Sequence, residues 1–210
     1  MPPTTSARPR RGDRRRARHE ATKQDILDTA WSMIRADGLA ALSLRALAHA
    51  VDMEPQSLYT YFASKNSLYD RMFADGNEEL ARRFAQAEIP GDPRGALRAV
   101  ARLFVEFAAE DQARYQLMFL RVLPGFEPSP ESYAVAVAVF GSVRARLADA
   151  GLRHEGDFDL WTALVAGLAS QQLANDPGGD RYIRLIDDAV TMFADHVLGA
   201  SAPATRTSQR

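Results

Sequence analysis

The sequence predicts an all-α protein of about nine helices, and three observations carry that expectation. Apolar residues recur at three- and four-residue spacing in segment after segment from Thr22 to Leu198. The segments are punctuated by helix stops: Gly38, Pro90-Gly91, Pro124-Gly125 and the run Asn175-Asp176-Pro177-Gly178-Gly179. Only Tyr133–Phe140, reading YAVAVAVF, alternates like a strand, and a lone strand would find no partner in this chain. Ala fills its alternate positions, Ser129-Pro130-Glu131 makes a helix start, and Arg144–Gly151 runs on to a helix stop, so Pro130–Ala150 is expected as helix.

Taken in order, residues 1–20 are Pro-, Thr- and Ser-containing with clustered arginine and are expected to form a flexible arm. Two readings stand for that arm: a solvated tail, or a segment that neutralises phosphates or enters a narrow minor groove. The first helix is expected over Thr22–Asp37, with Ile26, Leu27, Ala30, Met33 and Ile34 on one face. Ser43 is the natural N-cap of the second, and its hydroxyl and adjacent N–H groups lie at a positive helix end suited to phosphate.

The stretch Leu42–Lys65, LSLRALAHAVDMEPQSLYTYFASK, then reads as two short helices joined by a tight turn. Leu47, Val51, Met53, Leu58 and Tyr61 point inward, with small Ala48 where the helices meet. The turn falls on Asp52, a residue type that tolerates φ > 0 less readily than Gly. Pro55 opens the second helix, where its missing N–H costs nothing. Gln56, Ser57, Thr60 and part of Tyr59 are left pointing outward, uncharged hydrogen-bonding groups of a size to reach base edges in a major groove.

By its residues this stretch resembles the DNA-binding domain of the TetR (tetracycline-repressor-like) family of bacterial transcriptional regulators. The resemblance rests on Leu-Ser-Leu-Arg-x-Leu-Ala at Leu42–Ala48, Leu58-Tyr59-x-Tyr61-Phe62, and Lys65 followed by Leu68, and it covers roughly residues 22–68. The departure is Asp52, where the family usually has Gly. The resemblance implies that Lys65 and Tyr61 touch the DNA backbone; for Tyr61 a purely internal role is the other reading.

Further helices are expected from Ser64 to about Ala87, from Asp92-Pro93 to Glu110, from Ala113 to Leu123, over Asp157–Ala174 and over Asp180–Leu198. The last carries two apolar stripes, one through Ile183, Ile186, Val190, Phe193 and Val197 and one through Tyr182, Leu185, Ala189 and Met192, so it must bury more than one face. The resemblance implies a homodimer through the last two helices, with Trp161, Leu164, Leu168, Ile186, Val190, Phe193 and Val197 as candidate contacts. It also implies that some of Phe104, Phe107, Tyr115, Met118, Phe119, Tyr133, Phe140 and Trp161 line a cavity for a small apolar effector, with Gln171, Gln172 or Arg121 giving specificity. Core packing is the alternative for any one of these aromatics.

Composition narrows the chemistry. Of 210 residues 46% are apolar and 25% charged, ordinary for a soluble globular chain, and the absence of cysteine excludes disulfides, thiolate metal sites and cysteine nucleophiles. Residues 1–65 hold eleven Lys/Arg against seven Asp/Glu and residues 66–210 fifteen against twenty, a basic front on an acidic body. His19, His49, His154 and His196 fall in no metal-ligand spacing, and no phosphate loop or nucleophile elbow is present, so neither enzyme activity, metal nor cofactor is expected. The longest apolar run, Ala134–Phe140, is far short of the ~20 residues a membrane span needs, and a cytoplasmic protein is the default.

These readings place a flexible basic arm at 1–20, a three-helix helix-turn-helix DNA-binding domain at 21–68, a helical effector-binding and dimerisation domain at 69–199 and a disordered tail at 200–210. The expected function is a ligand-responsive, sequence-specific regulator of transcription, a repressor that binds palindromic double-stranded DNA. Ser43, Arg45, Pro55, Gln56, Ser57, Tyr59, Thr60, Tyr61 and Lys65 are its candidate DNA contacts. The alternative is a helical ligand-binding or interaction module without DNA binding.

Overall fold

The structure, a computed structural model, describes residues 11–199, within which there are nine α-helices, two 3-10 turns and no strands. The expectations for residues 1–10 and for the tail at 200–210 lie outside the described residues. The chain divides into two compact units, one reaching to Met72 and taking in Leu123–Phe126, the other formed by Phe73–Val122 and the residues after Phe126.

The first unit holds α1 (Arg11–Asp37), a 3-10 turn at Leu39–Ala41, α2 (Leu44–Ala50), α3 (Pro55–Leu58) and the start of α4 (Lys65–Gln86). Helix α1 begins at Arg11 rather than Thr22, so the second half of the expected arm is helix. The apolar periodicity starts late, but Ala17, Ala21 and the arginines are strong helix formers and Asp13 lies in the first turn, where the helix dipole favours a carboxylate. Ile26, Leu27, Ala30, Trp31 and Ile34 pack inward from α1 against Leu47, Ala48, Leu58 and Phe62 of the same unit.

Ser43 caps α2 as expected, its Oγ accepting from the Ala46 N–H at 3.5 Å. The turn after α2 is closed by Met53 N–H donating to the Ala48 carbonyl (2.8 Å) and Asp52 N–H to that of His49 (3.2 Å), the Schellman pattern, with Asp52 at φ 55°. Asp52 is the one non-glycine with positive φ among the described residues. Helix α3 is a single turn; beyond Leu58 the backbone tightens, Thr60 N–H bonding the Ser57 carbonyl and Tyr61 N–H that of Leu58. Ser64 and Ser67 cap α4 reciprocally, each backbone N–H meeting the other's hydroxyl at 3.0 Å.

The second unit is organised on α5 (Pro93–Glu110), which packs against α6 (Gln112–Phe119), α7 (Pro130–Asp149), α8 (Glu155–Asn175) and α9 (Ile186–Leu198). The alternating segment is helical, as its flanking residues required. Helix α6 stops at Phe119, short of the expected Leu123: Leu120 is already extended, and Pro124 disfavours helix at the residue before it. The last helix is likewise shorter, with a separate 3-10 turn at Ile183–Leu185. Gln172 ties down this segment: its buried amide oxygen accepts the Tyr182 and Ile183 N–H groups at 2.8 and 3.4 Å, satisfying donors that have no partner within the turn itself.

Candidate functional sites

In the first unit the helix-turn-helix leaves an exposed ridge. Leu58 is buried beneath it, while Pro55, Gln56, Ser57, Tyr59 and Thr60 face outward, Tyr59 with 53% of its surface open. The ridge carries no charge, so its donors and acceptors are available for directed hydrogen bonds. The exception is the Thr60 hydroxyl, which donates back to the Ser57 carbonyl at 2.7 Å. Ser43 and Arg45 are exposed at the start of α2.

Two expected backbone contacts are engaged within the unit. Lys65 is half-buried: its Nζ donates to the Ala40 carbonyl at 3.1 Å and lies 5.5 Å from the Tyr69 ring centre. Tyr61 is also half-buried and stacks on His19 with ring centres 4.6 Å apart. Sequence reading missed His19, because helix α1 had not been extended back to it. It also missed Tyr69, whose hydroxyl donates to the Leu39 carbonyl at 2.5 Å and whose ring meets the edge of Phe126 at 5.7 Å. Burial pushes the Tyr69 phenol up to about 12.

The second unit contains a cleft of about 490 Å³, within the usual range for small-molecule sites. Its wall is formed by Leu80, Phe84, Val100, Phe104, Tyr115, Phe119, Val139, Phe140, Phe158, Trp161 and Val165, with Arg144, Asp159, Thr162 and Ser170 among the polar members. Phe119 is the hub of the aromatic wall, its ring 5.2 Å from Phe104, 5.3 Å from Tyr115 and 6.1 Å from Phe140. The Tyr115 hydroxyl lies 2.9 Å from that of Ser170.

Five of the eight candidate ligand residues, Phe104, Tyr115, Phe119, Phe140 and Trp161, therefore line the cleft, and three do not. Phe107 is fully buried under the guanidinium of Arg114, 3.8 Å from its ring centre. Met118 packs against Gly76, where even a Cβ would lie 2.6 Å from its sulfur. Tyr133, at 57% exposure, faces outward. The proposed polar selectors also lie elsewhere: Arg121 is exposed and not part of the wall, Gln171 bonds Asn175, and Gln172 holds the loop before α9. Helical spacing gives the phase of a face but not which of several buried faces borders a void.

Four of the seven dimer candidates need the same correction. Trp161, Ile186, Val190 and Phe193 are buried in the chain's own core, with Leu164, Leu168 and Val197 packed against it. The stripe left exposed on α9 is the second one, ending in Met192 at 66% exposure, with Leu185 at its head and Leu160 likewise open on α8. Among the described residues no group of three or more His, Asp or Glu side chains is disposed to hold a metal, and no helix is long and apolar enough to cross a membrane.

The chain is similar to known regulatory proteins. Residues 26–72 match the family model of the bacterial regulatory proteins, tetR family. The chain is 26% identical over 190 residues to the HTH-type transcriptional regulator Rv1816 of Mycobacterium tuberculosis, covering 82% of this chain and 76% of that one. Its fold matches that of a tetR-family regulatory protein from Rhodococcus RHA1 (TM-score 0.63, 19% identity, 82% and 96% of the two chains). It also matches the multidrug binding protein EbrR crystallised with imidazole (TM-score 0.60, 25% identity, 98% and 100%).

Proposed function

The chain belongs to the TetR family of bacterial regulatory proteins, and from that premise we propose that it is a homodimeric repressor released from its operator by a small, largely apolar effector. The exposed, uncharged ridge of Gln56, Ser57, Tyr59 and Thr60 above buried Leu58 carries the reading, since its hydrogen-bonding groups are of a size to reach base edges in a major groove. Each subunit lays this ridge in a major groove, and two-fold symmetry pairs it with the two halves of a palindrome. Ser43 and Arg45 fix the phosphate backbone, as do Tyr61 and Lys65 once they leave His19 and the Ala40 carbonyl. The basic N-terminal segment adds salt-sensitive affinity.

DNA binding is assigned to residues 21–68, effector binding and dimerisation to 69–199. The subunits meet through the exposed sides of α8 and α9, where Leu160, Leu185 and Met192 stand open. Effector in the cleft favours a conformer whose two ridges no longer match the half-site spacing, and release follows from a difference of a few kcal/mol in its affinity for the two conformers. The Schellman closure of the Asp52 turn supports this reading over that of a module that has lost DNA binding, since the departure from Gly leaves the turn intact.

Selecting DNA fragments with the purified protein and titrating the selected site by fluorescence anisotropy across a salt series tests this. A palindromic site whose affinity falls steeply with salt is expected, with Gln56→Ala losing discrimination at one base pair and Arg45→Ala weakening all sequences alike. Absence of retention at low salt would end the proposal.

A further inference from the structure

The cleft is apolar except at a few points, and the charge fixed at its wall selects the head group of what fills it. On the reading of the cleft as the effector site, we propose that the effector is an anionic amphiphile: an apolar body ending in a carboxylate that pairs with Arg144. Arg144 is exposed, and its guanidinium lies 4.3 Å from the ring centre of Phe158, a buried wall residue, a contact that favours the rotamer lying along the cleft. Arg94, Arg98 and Arg102 on α5 each meet an aspartate of α9 within 3.3 Å, whereas Arg144 has no acidic partner within 4.0 Å among the described residues. A guanidinium without an acidic partner offers the planar fork of donors that a carboxylate accepts in bidentate fashion.

The competing charge at the wall is Asp159, which would suit a cationic head. Both side chains are exposed, and they differ in what they touch. Asp159 has no bonding partner among the described residues, so it can turn to water when a carboxylate arrives. An ammonium drawn to Asp159 would instead meet a guanidinium that rests on the Phe158 ring. The charge with a contact at the wall therefore sets the sign of the ligand, and the aromatic wall takes up its chain.

Calorimetric titration of the full chain with dodecanoate, dodecan-1-ol and dodecyltrimethylammonium, the two ions below their micellar concentrations and the alcohol below its solubility limit, separates the readings, because the three share one tail and differ in head. Dodecanoate is expected to bind at least about tenfold more tightly than dodecanol, with the ammonium weakest. Arg144→Gln should bring dodecanoate down to the level of dodecanol, and Asp159→Asn should leave dodecanoate equal or tighter. Dodecanol or the ammonium matching dodecanoate on the natural chain would overturn the head-group assignment while leaving the cleft as an apolar site. A preference for dodecanoate that survives Arg144→Gln would overturn the role of Arg144. Failure of all three to bind would overturn both this inference and the effector reading beneath it.

Discussion

The helices ending at Ala50 and at Asp149 are closed by the same pair of hydrogen bonds, yet aspartate turns the first chain and glycine the second. After α2 the bonds run from Met53 to Ala48 and from Asp52 to His49; after α7 they run from Leu152 to Leu147 and from Gly151 to Ala148. The difference lies in the angle demanded. Asp52 sits at φ 55°, inside the left-handed basin that a short polar side chain tolerates, while Gly151 sits at φ 105°, where a Cβ would also lie 2.7 Å from a methyl carbon of Leu198. The family's preference for Gly at the first turn is thus a preference that aspartate can meet, whereas at the second turn nothing with a side chain fits without strain. Loops elsewhere in the two units also differ in how they are held. In the first unit one phenol, Tyr69, holds the Leu39 carbonyl, while in the second the amide of Gln172 bonds Asp176, Gly179, Tyr182 and Ile183.

Substitutions at these positions, followed by urea denaturation, would break or sharpen the contrast. Gln172→Ala removes the partner of the Asp176 and Gly179 carbonyls and of the Tyr182 and Ile183 N–H groups at once and is expected to cost about 3 kcal/mol, with hydrogen exchange accelerated over residues 176–183 first. Gly151→Ala should cost about 2 kcal/mol, mostly through φ, since Leu198 can move aside. The phenol gives a pH signature. Below pH 10 its protonated form is shared by both states; between pH 10 and about 12 the unfolded chain loses the proton that the folded chain keeps, so stability falls across that window by about 2 kcal/mol. Tyr69→Phe should flatten that fall while lowering stability at neutral pH by leaving the Leu39 carbonyl unpaired. Asp52→Ala should cost about 1 kcal/mol and Asp52→Gly gain about 0.5 kcal/mol. A loss from Asp52→Gly would mean that the aspartate side chain does something in this turn beyond tolerating it.

The parts of this architecture legible in the sequence were those that depend on local chemistry. The caps at Ser43, Ser64 and Asp92, the proline starts of α3, α5 and α7, and the helical nature of YAVAVAVF follow from residues within a turn of one another. Helix α1 was undercut because its first turns carry arginine instead of an apolar stripe, although propensity alone would have extended it. The exposed ridge was legible because proline fixes where α3 begins and therefore which side chains share its outer face. The cleft was legible only as a surplus of aromatics; which of them border it depends on the packing of α5, α6, α7 and α8, which no periodicity encodes. Arg144 and Asp159 looked like ordinary helix-surface charges, and only the position of Phe158 makes the first of them part of a wall.

The chain has two tryptophans, and they fall one to each unit: Trp31 in α1, packed among the helix-turn-helix side chains, and Trp161 in α8, in the cleft wall 5.2 Å from Phe193. Intrinsic emission therefore comes with a natural two-colour design. Trp31→Phe leaves a lamp that sees only occupancy of the cleft, Trp161→Phe leaves one that sees only the helix-turn-helix, and stopped-flow traces of the two would time the arrival of a ligand in one unit against any response in the other.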